Sequence, residues 1–426
     1  MKDLGFDALI EESHAFHAQP IYKGVEAGAA KKRIVIRYLF AFVRWGKRST
    51  WCNALLLAAL LLVFRGFRYP AADRVVFEYG PTRNNMAAFK RLNACLPPDI
   101  VAKIDVNGHF APVGRRLALL FSPASLWRAA RALQCNHHDR PLPHIQAAIA
   151  VAAYLLYSRY PLPQALRVLC VASDHSPVSM ALLTVARATG IKTCYLQHAP
   201  VTEYFPPLSY DLSILYDQAS LEAYDQAARR RGVAGSQAAI IFPPYDEEFE
   251  QPRLRRAPPL IVGVCLSSVP QVGPVQRLVE DVCAHPAVSG ALLRCHPRYR
   301  IDTAHWNPEL SVALQEEGQS LGAFLEAVDL VLVPNSGVAI EALHQGRPTF
   351  YTDGMDEIQS DYYRFVAEGI LPEFSVTALD DPAGLDAFFD ASWKARFARH
   401  DATVNFTIQD AREAVASSFA SLIEAS

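Results

Sequence analysis

Much that would announce a function is missing from this sequence. Its eight cysteines include no Cys-x-x-Cys pair and none at metal-ligand spacing, which argues against zinc ribbons and dithiol redox centres. Cys170, Cys194 and Cys265 sit inside apolar runs, where a thiol is a small buried hydrophobe, and such usage suits a reducing cytoplasm. His137-His138-Asp139 has no third or fourth ligand at a suitable spacing and reads as a surface loop. Long hydrophobic runs are absent. The stretch NALLLAALLLVF at 53–64 falls short of the ~20 residues that a bilayer-crossing helix needs. The opening MKDLGFDALIEESHAF is acidic and lacks the apolar core of a secretory signal. Net charge is also scarce: 41 Lys and Arg stand against 43 Asp and Glu, so no nucleic-acid partner is expected. No Asp-x-Asp pattern stands at a strand end, so neither a metal nor a cofactor is expected.

What is present suits a globular chain of two domains. There are 426 residues, 51% hydrophobic and 20% charged, more than one ordinary core accommodates. Residues 1–70 form an N-terminal segment of their own. Its first 22 residues carry no readable signal. From Lys23 to Arg68 there are ten Lys or Arg and one acid, Glu26, interleaved with Tyr38, Phe40, Phe42, Trp45 and Trp51. A short apolar helix flanked by aromatic and basic side chains suits an interfacial anchor on anionic lipid, at the inner face of a membrane. Each basic residue near such a surface is worth roughly 1 kcal/mol. The competing reading buries the same helix in the first domain.

Residues 71–250 alternate apolar runs of strand length with helical stretches, the pattern of a parallel sheet covered by helices. Residues 74–79 read as a strand, 86–96 as a helix, 117–121 as another strand and 145–157 as a buried helix. The turn at 80–85 between the first two is either an acceptor contact or an ordinary connection. The strand at 167–172 leads to Ser173-Asp174-His175, and the next, Lys192–Leu196, leads to Gln197-His198. Open α/β sheets place ligands at the carboxyl ends of their strands. Asp174, His175 and His198 are therefore the candidate catalytic bases, able to take a proton from a bound ligand.

A Pro-rich, charged stretch at 242–259 reads as a linker to a second domain, 251–400. Its strands are read at 261–266, 292–295, 329–333 and 349–351. The first ends in Ser267-Ser268. The second ends at His296-Pro297, bracketed by Arg294, Arg298 and Arg300, fixed positive charge suited to a diphosphate. The third ends in Asn335-Ser336-Gly337 and opens the helix Val338–His344. A strand, a small polar turn and a helix present backbone N–H groups to an anion. Glu341 lies one turn inside, within reach of a ribose. Residues from 361 read as helix, and 401–426 hold a final amphipathic helix.

The run from 291 to 351, with its His-Pro dipeptide, later Ser turn and Glu-Ala helix, resembles the donor half of GT-B glycosyltransferases of the His-Pro type. That group includes bacterial sialyl- and capsule glycosyltransferases and CDP-glycerol phosphotransferases. The resemblance covers roughly residues 165–370. It implies an α/β fold with two Rossmann-like domains facing across a cleft, preceded here by the basic, apolar helical segment. It implies a nucleotide-sugar donor, a CMP-sugar first, and a glycan or lipid-linked acceptor. By the same resemblance His296 and Asn335, Ser336 and Gly337 contact donor phosphate, Glu341 takes the ribose, and Ser267, Ser268, Arg294 and Arg298 line the donor site. His296 and the turn at 335–337 are expected on adjacent strand tips. A CDP-polyol phosphotransferase, a UDP-sugar epimerase and a silent membrane-docked scaffold remain alternatives.

Overall fold

The computed structural model describes residues 6–19, 22, 26, 34–63, 75–80, 82–103, 122–159, 162–235, 238–297, 299–358 and 360–426. The chain forms two compact units. One comprises residues 1–216, 220–244 and 408–426, the other 217–219 and 245–407. The strand read at 117–121 lies outside the described residues.

The first unit is built on a six-stranded parallel sheet. Its strands are β1 (Val76–Tyr79), β2 (Val101–Lys103), β3 (Val168–Val171), β4 (Lys192–Leu196), β5 (Leu212–Leu215) and β6 (Ala239–Ile241), in the order β2-β1-β3-β4-β5-β6. β1, β3 and β5 are buried at every position, the burial that parallel strands covered on both faces require. Helix α1 (Phe6–His17) lies in the stretch that gave no sequence signal. It buries Leu9, Ile10, Ser13, Phe16 and His17, one face at helical spacing. Helices α2 (Ile34–Gly46) and α3 (Thr50–Val63) follow. Phe40, Val43, Leu56, Leu57 and Leu61 on their inner faces join the first core.

Thr82, in the turn read at 80–85, caps helix α4 (Arg83–Asn93). The Thr82 side chain accepts from the Asn85 N–H, Asn85 accepts from the Thr82 N–H, and Asn85 Nδ2 donates to the Ala172 carbonyl at 3.0 Å. This capping box satisfies two otherwise orphaned helix-end donors. Helices α5 (Pro123–Cys135), α6 (Pro141–Ser158), α7 (Pro177–Ala188) and α8 (Gln218–Arg231) complete the succession. α6 is apolar almost all round and buried accordingly.

The second unit has a five-stranded parallel sheet: β7 (Leu260–Cys265), β8 (Val288–Arg294), β9 (Val312–Leu314), β10 (Leu330–Val333) and β11 (Thr349–Tyr351), in the order β11-β10-β7-β8-β9. The chain starts in the middle and winds outward both ways, the doubly wound arrangement. Helices α9 (Val272–Cys283), α10 (Leu321–Ala327) and α11 (Val338–His344) cover it, with α12 (Pro382–Ala387) and α13 (Ala391–Phe397) near its end. The last helix, α14 (Ile408–Glu424), returns to the first unit and packs Ala411, Val415, Phe419 and Leu422 into a core with Val168 and Cys194.

The stretch from 361 is not helical. Asp361 and Arg364 take positive φ of 46° and 62°, which a helix does not tolerate. The Asp361 carboxylate accepts instead from the N–H groups of Val366 and Ala367 at 3.0 and 2.8 Å, side-chain bonds to backbone that compete with helix.

Helix α11 is held at its far end by buried groups. His344 Nδ1 lies 2.7 Å from Asp401 Oδ2, and its ring stacks on Tyr245 at 4.1 Å. Gly346 then turns the chain at φ +72°, where a Cβ would lie 2.9 Å from the Glu250 Cβ. Gly346→Ala is expected to destabilise the protein by roughly 1–3 kcal/mol through left-handed strain and that contact. A urea midpoint equal to that of the parent would contradict this role.

Candidate functional site

The second sheet brings its candidate residues to one edge. Val264 of β7 pairs with Leu293 of β8 and with Leu332 of β10, and Cys265 pairs with Arg294. One residue further the Leu266 N–H donates to the Arg294 carbonyl at 2.9 Å. Ser267, His296 and Asn335 therefore leave the sheet at matching levels. Adjacent tips were expected for β8 and β10, but β7 stands between them. The reason is the doubly wound order, in which the first strand of a unit sits at its centre. At the usual strand spacing the tips carrying His296 and Asn335 are about 10 Å apart, and Ser267-Ser268 stand between them.

The turn at 335–337 is tightly built. Asn335 Oδ1 accepts from the Tyr362 N–H at 2.6 Å, and its Nδ2 lies 3.5 Å from Asp356 Oδ1. This side chain thus ties the loop after β11 to the turn. Ser336 Oγ accepts from the Val338 N–H at 3.3 Å, and the Ser336 carbonyl accepts from the Ala339 N–H at 3.2 Å. The Ser336 hydroxyl keeps a proton to donate. Gly337 is right-handed, with φ −64°. α11 has seven residues, so its dipole is short. Burial raises the Glu341 carboxyl above its usual range, opposed by the charge of Arg294 and by His344.

His296 is half-buried in its turn, and its carbonyl accepts from the Tyr299 N–H at 2.8 Å. Arg294 Nη1 is engaged by the loop after β9, donating to Gln315 Oε1 and to the Gln319 and Ser320 carbonyls at 3.3 and 3.4 Å. Arg300 pairs with Glu317 on the surface. Arg298 lies outside the described residues.

Asp356 is a member of this edge that the sequence marked only as loop. Its Oδ1 accepts from the Ile358 N–H at 2.9 Å, while its buried Oδ2 has no hydrogen-bond partner. Burial pushes its carboxyl up to about 6, against the pull of hydrogen bonds from Ile358, Asn335 and Ser267. The available signal was an acid just past a strand end, too common to single out.

In the first unit β3 and β4 deliver the other candidates. Asp174 is buried, and its Oδ1 lies 2.7 Å from His175 Nδ1. The Tyr224 hydroxyl donates to Asp174 Oδ2 at 2.9 Å and stands 2.9 Å from the Tyr195 hydroxyl. Burial holds both phenols well above their ordinary range, with the Asp174 charge adding to it. The His175 ring stacks on Phe16 at 4.2 Å and meets Phe205 edge-on at 5.7 Å. A carboxylate on one imidazole nitrogen orients the ring and leaves the other nitrogen to accept a proton. His198 is 6.5 Å from His175 between centroids, and burial pushes it down to about 4. An imidazole so weakly basic is a poor proton acceptor near neutrality.

A cavity of about 720 Å³ opens at the other end of the first sheet. It lies between α1 and the last turns of α7 and α8, with Glu12, Arg187, Tyr210 and Arg231 on its wall. Arg187 closes the helix before β4, and Tyr210 precedes β5. These are the amino ends of the strands, not the ends carrying the histidines. Open sheets of this kind bind ligands at the carboxyl ends, so the strand tips are the better candidate. Among the described residues no group of three or more His, Cys, Asp or Glu is placed to hold a metal ion.

The chain matches no family model and no curated protein. Solved structures resemble it at a distance. The pneumococcal O-GlcNAc transferase GtfA, in complex with UDP and GlcNAc, is 11% identical, with 66% of this chain and 60% of that one covered and a TM-score of 0.34. The chain thus spans less than two thirds of that transferase. The wall teichoic acid polymerase TagF is 10% identical over 95% of this chain and 99% of its own, with a TM-score of 0.45. A UDP-N-acetylglucosamine 2-epimerase is 12% identical over 80% and 94%, with a TM-score of 0.43. Likeness of this degree assigns no residue a role.

The raised Asp356 carboxyl has a consequence for stability. Between 3.8 and about 6 the folded chain keeps a proton that the unfolded chain has lost, so stability falls as pH rises through that window. Asp356→Asn is expected to remove this slope and to raise stability above pH 6 by on the order of 2 kcal/mol. Denaturant melts at several pH values check it. Parallel pH profiles for variant and parent would contradict it.

Proposed function

We infer that the chain is a glycosyltransferase of the GT-B kind. It would move a sugar from a nucleotide-activated donor, a CMP-sugar first, to a bacterial surface polysaccharide or a lipid-linked glycan. One observation carries the reading. Three neighbouring parallel strands end at one level in Ser267-Ser268, His296 and Asn335-Ser336-Gly337, with Glu341 one turn beyond. Hydroxyls, an imidazole and a carboxyl on one strand-end edge suit a phosphate with its ribose.

The chemistry asks two things of the residues. The leaving nucleotide phosphate gains charge as the sugar departs. The Ser336 hydroxyl and His296 can meet that charge by donating hydrogen bonds, with Arg294 adding a fixed positive field. The acceptor hydroxyl must lose its proton. In the first unit His175, oriented by Asp174 through Nδ1, is the side chain suited to take it, and the low basicity of His198 leaves it a neutral contact. Tyr224 holds Asp174 in place, with the Tyr195 hydroxyl behind it.

Calorimetry with CMP, CDP and UDP tests the site. One of them is expected to bind with roughly micromolar affinity. Ser336→Ala and His296→Ala should each weaken it about tenfold. His175→Ala should keep nucleotide binding and lower turnover by roughly 10²–10⁴-fold. Product mass distinguishes transfer of a sugar from transfer of a polyol phosphate. Absence of binding by all three nucleotides would overturn the reading and favour a non-catalytic scaffold.

A further inference from the structure

We propose that α2, α3 and the start of α5 form a face that lies on an anionic lipid surface, inserted to side-chain depth. The inner faces of α2 and α3 are core, yet their outer faces also carry large apolar and aromatic side chains. Trp45 is 80% exposed, Trp51 71% and Tyr38 71%, with Val35 and Leu55 also open to solvent. The positions are regular. Tyr38 and Trp45 are seven apart on α2, and Trp51, Leu55 and Leu62 follow one stripe of α3, so each set lies on a single helix face.

Gly46 lets the chain turn tightly from α2 into α3, since a Cβ there would stand 2.6 Å from that of Cys52. The Trp51 ring meets Trp127 of α5 at 4.9 Å. An exposed patch of this kind on a soluble surface marks an interaction site.

Charge identifies the occupant. α2, α3, the turn joining them and α5 contain no Asp or Glu, in a chain where acids slightly outnumber bases. They carry exposed Arg37, Arg44, Arg48, Arg128 and Arg131. Lys47 lies outside this set because it is buried, with its ammonium 3.2 Å from Asp139. Arginines among exposed Trp and Tyr match the headgroup region of an anionic membrane, where aromatic rings also prefer to sit. A second copy is a poor occupant, because a two-fold contact would set these arginines against their equivalents. No described helix is long and apolar enough to cross a membrane, so the helices lie in the interface plane.

Three of the five tryptophans, Trp45, Trp51 and Trp127, belong to this patch, while Trp306 and Trp393 are 8% and 0% exposed. Intrinsic fluorescence of the full chain therefore reports on the face directly. With vesicles of phosphatidylcholine and phosphatidylglycerol, the protein should float with the lipid and its emission should shift to the blue. Pure phosphatidylcholine should bind it about tenfold less, as should the mixed vesicles at high salt. The double variant W45E/L55E, altered only at exposed positions, should keep its far-ultraviolet circular dichroism and lose about tenfold or more in vesicle binding. No flotation with the anionic vesicles, or equal flotation of the double variant, would overturn the proposal. So would a dimer in light scattering that the double variant converts to a monomer. Donor and acceptor are absent throughout, so the outcome is independent of the transferase reading.

Discussion

The pairing of β7 with β8 on one side and β10 on the other is the constraint on which the candidate donor site depends. It sets Cys265 beside Arg294 and Val264 between Leu293 and Leu332. Everything beyond those rungs leaves the sheet at one level and on one edge. A slip of one residue would turn each strand's side chains to the opposite face. The strands are buried, so such a slip would also bury the wrong set. Apolar burial thus fixes where the polar strand-end residues stand, though none of them contributes to the core.

Around that edge the polar contacts divide between building and remaining available. Asn335 is committed to the Tyr362 N–H and so anchors the irregular loop after β11. Arg294 is engaged by the loop after β9. The Ser336 hydroxyl keeps a proton to donate, and Asp356 keeps an oxygen without a partner. A buried oxygen left without a donor is costly, and that cost appears here as a carboxyl raised toward neutrality. In the first unit the hydrogen bonds run the other way. Tyr224 and Asp174 are inward supports, and His175 at the end of that chain retains some exposure.

The sequence displayed the periodic and apolar features well. Lys192–Leu196 and Val338–His344 have the bounds that their patterns indicate, because a continuous apolar run and a helix set between a small polar turn and a glycine are local signals. Asp174 and His175 were legible as strand-end polar residues, but not Tyr224, which bonds Asp174, nor Tyr195, which stands against Tyr224. They come from α8 and β4, and only the folded sheet brings them together. α1 was invisible because its buried face mixes Ser13 and His17 with Leu9, Ile10 and Phe16. The neighbour relation of β8 and β10 was misjudged because sequence shows the order of strands along the chain and not across the sheet. The loop from 361 looked helical by composition. Two left-handed residues and a carboxylate bonded to backbone N–H groups decided otherwise.

The central claim is that phosphate is held where β7, β8 and β10 end. A crystal soaked with CMP or CDP tests it most directly. The account predicts phosphate density within hydrogen-bond distance of Ser336 Oγ and the His296 ring, with the ribose beside Glu341. Nucleotide bound instead against Glu12, Arg187 and Tyr210, at the amino end of the first sheet, would contradict it.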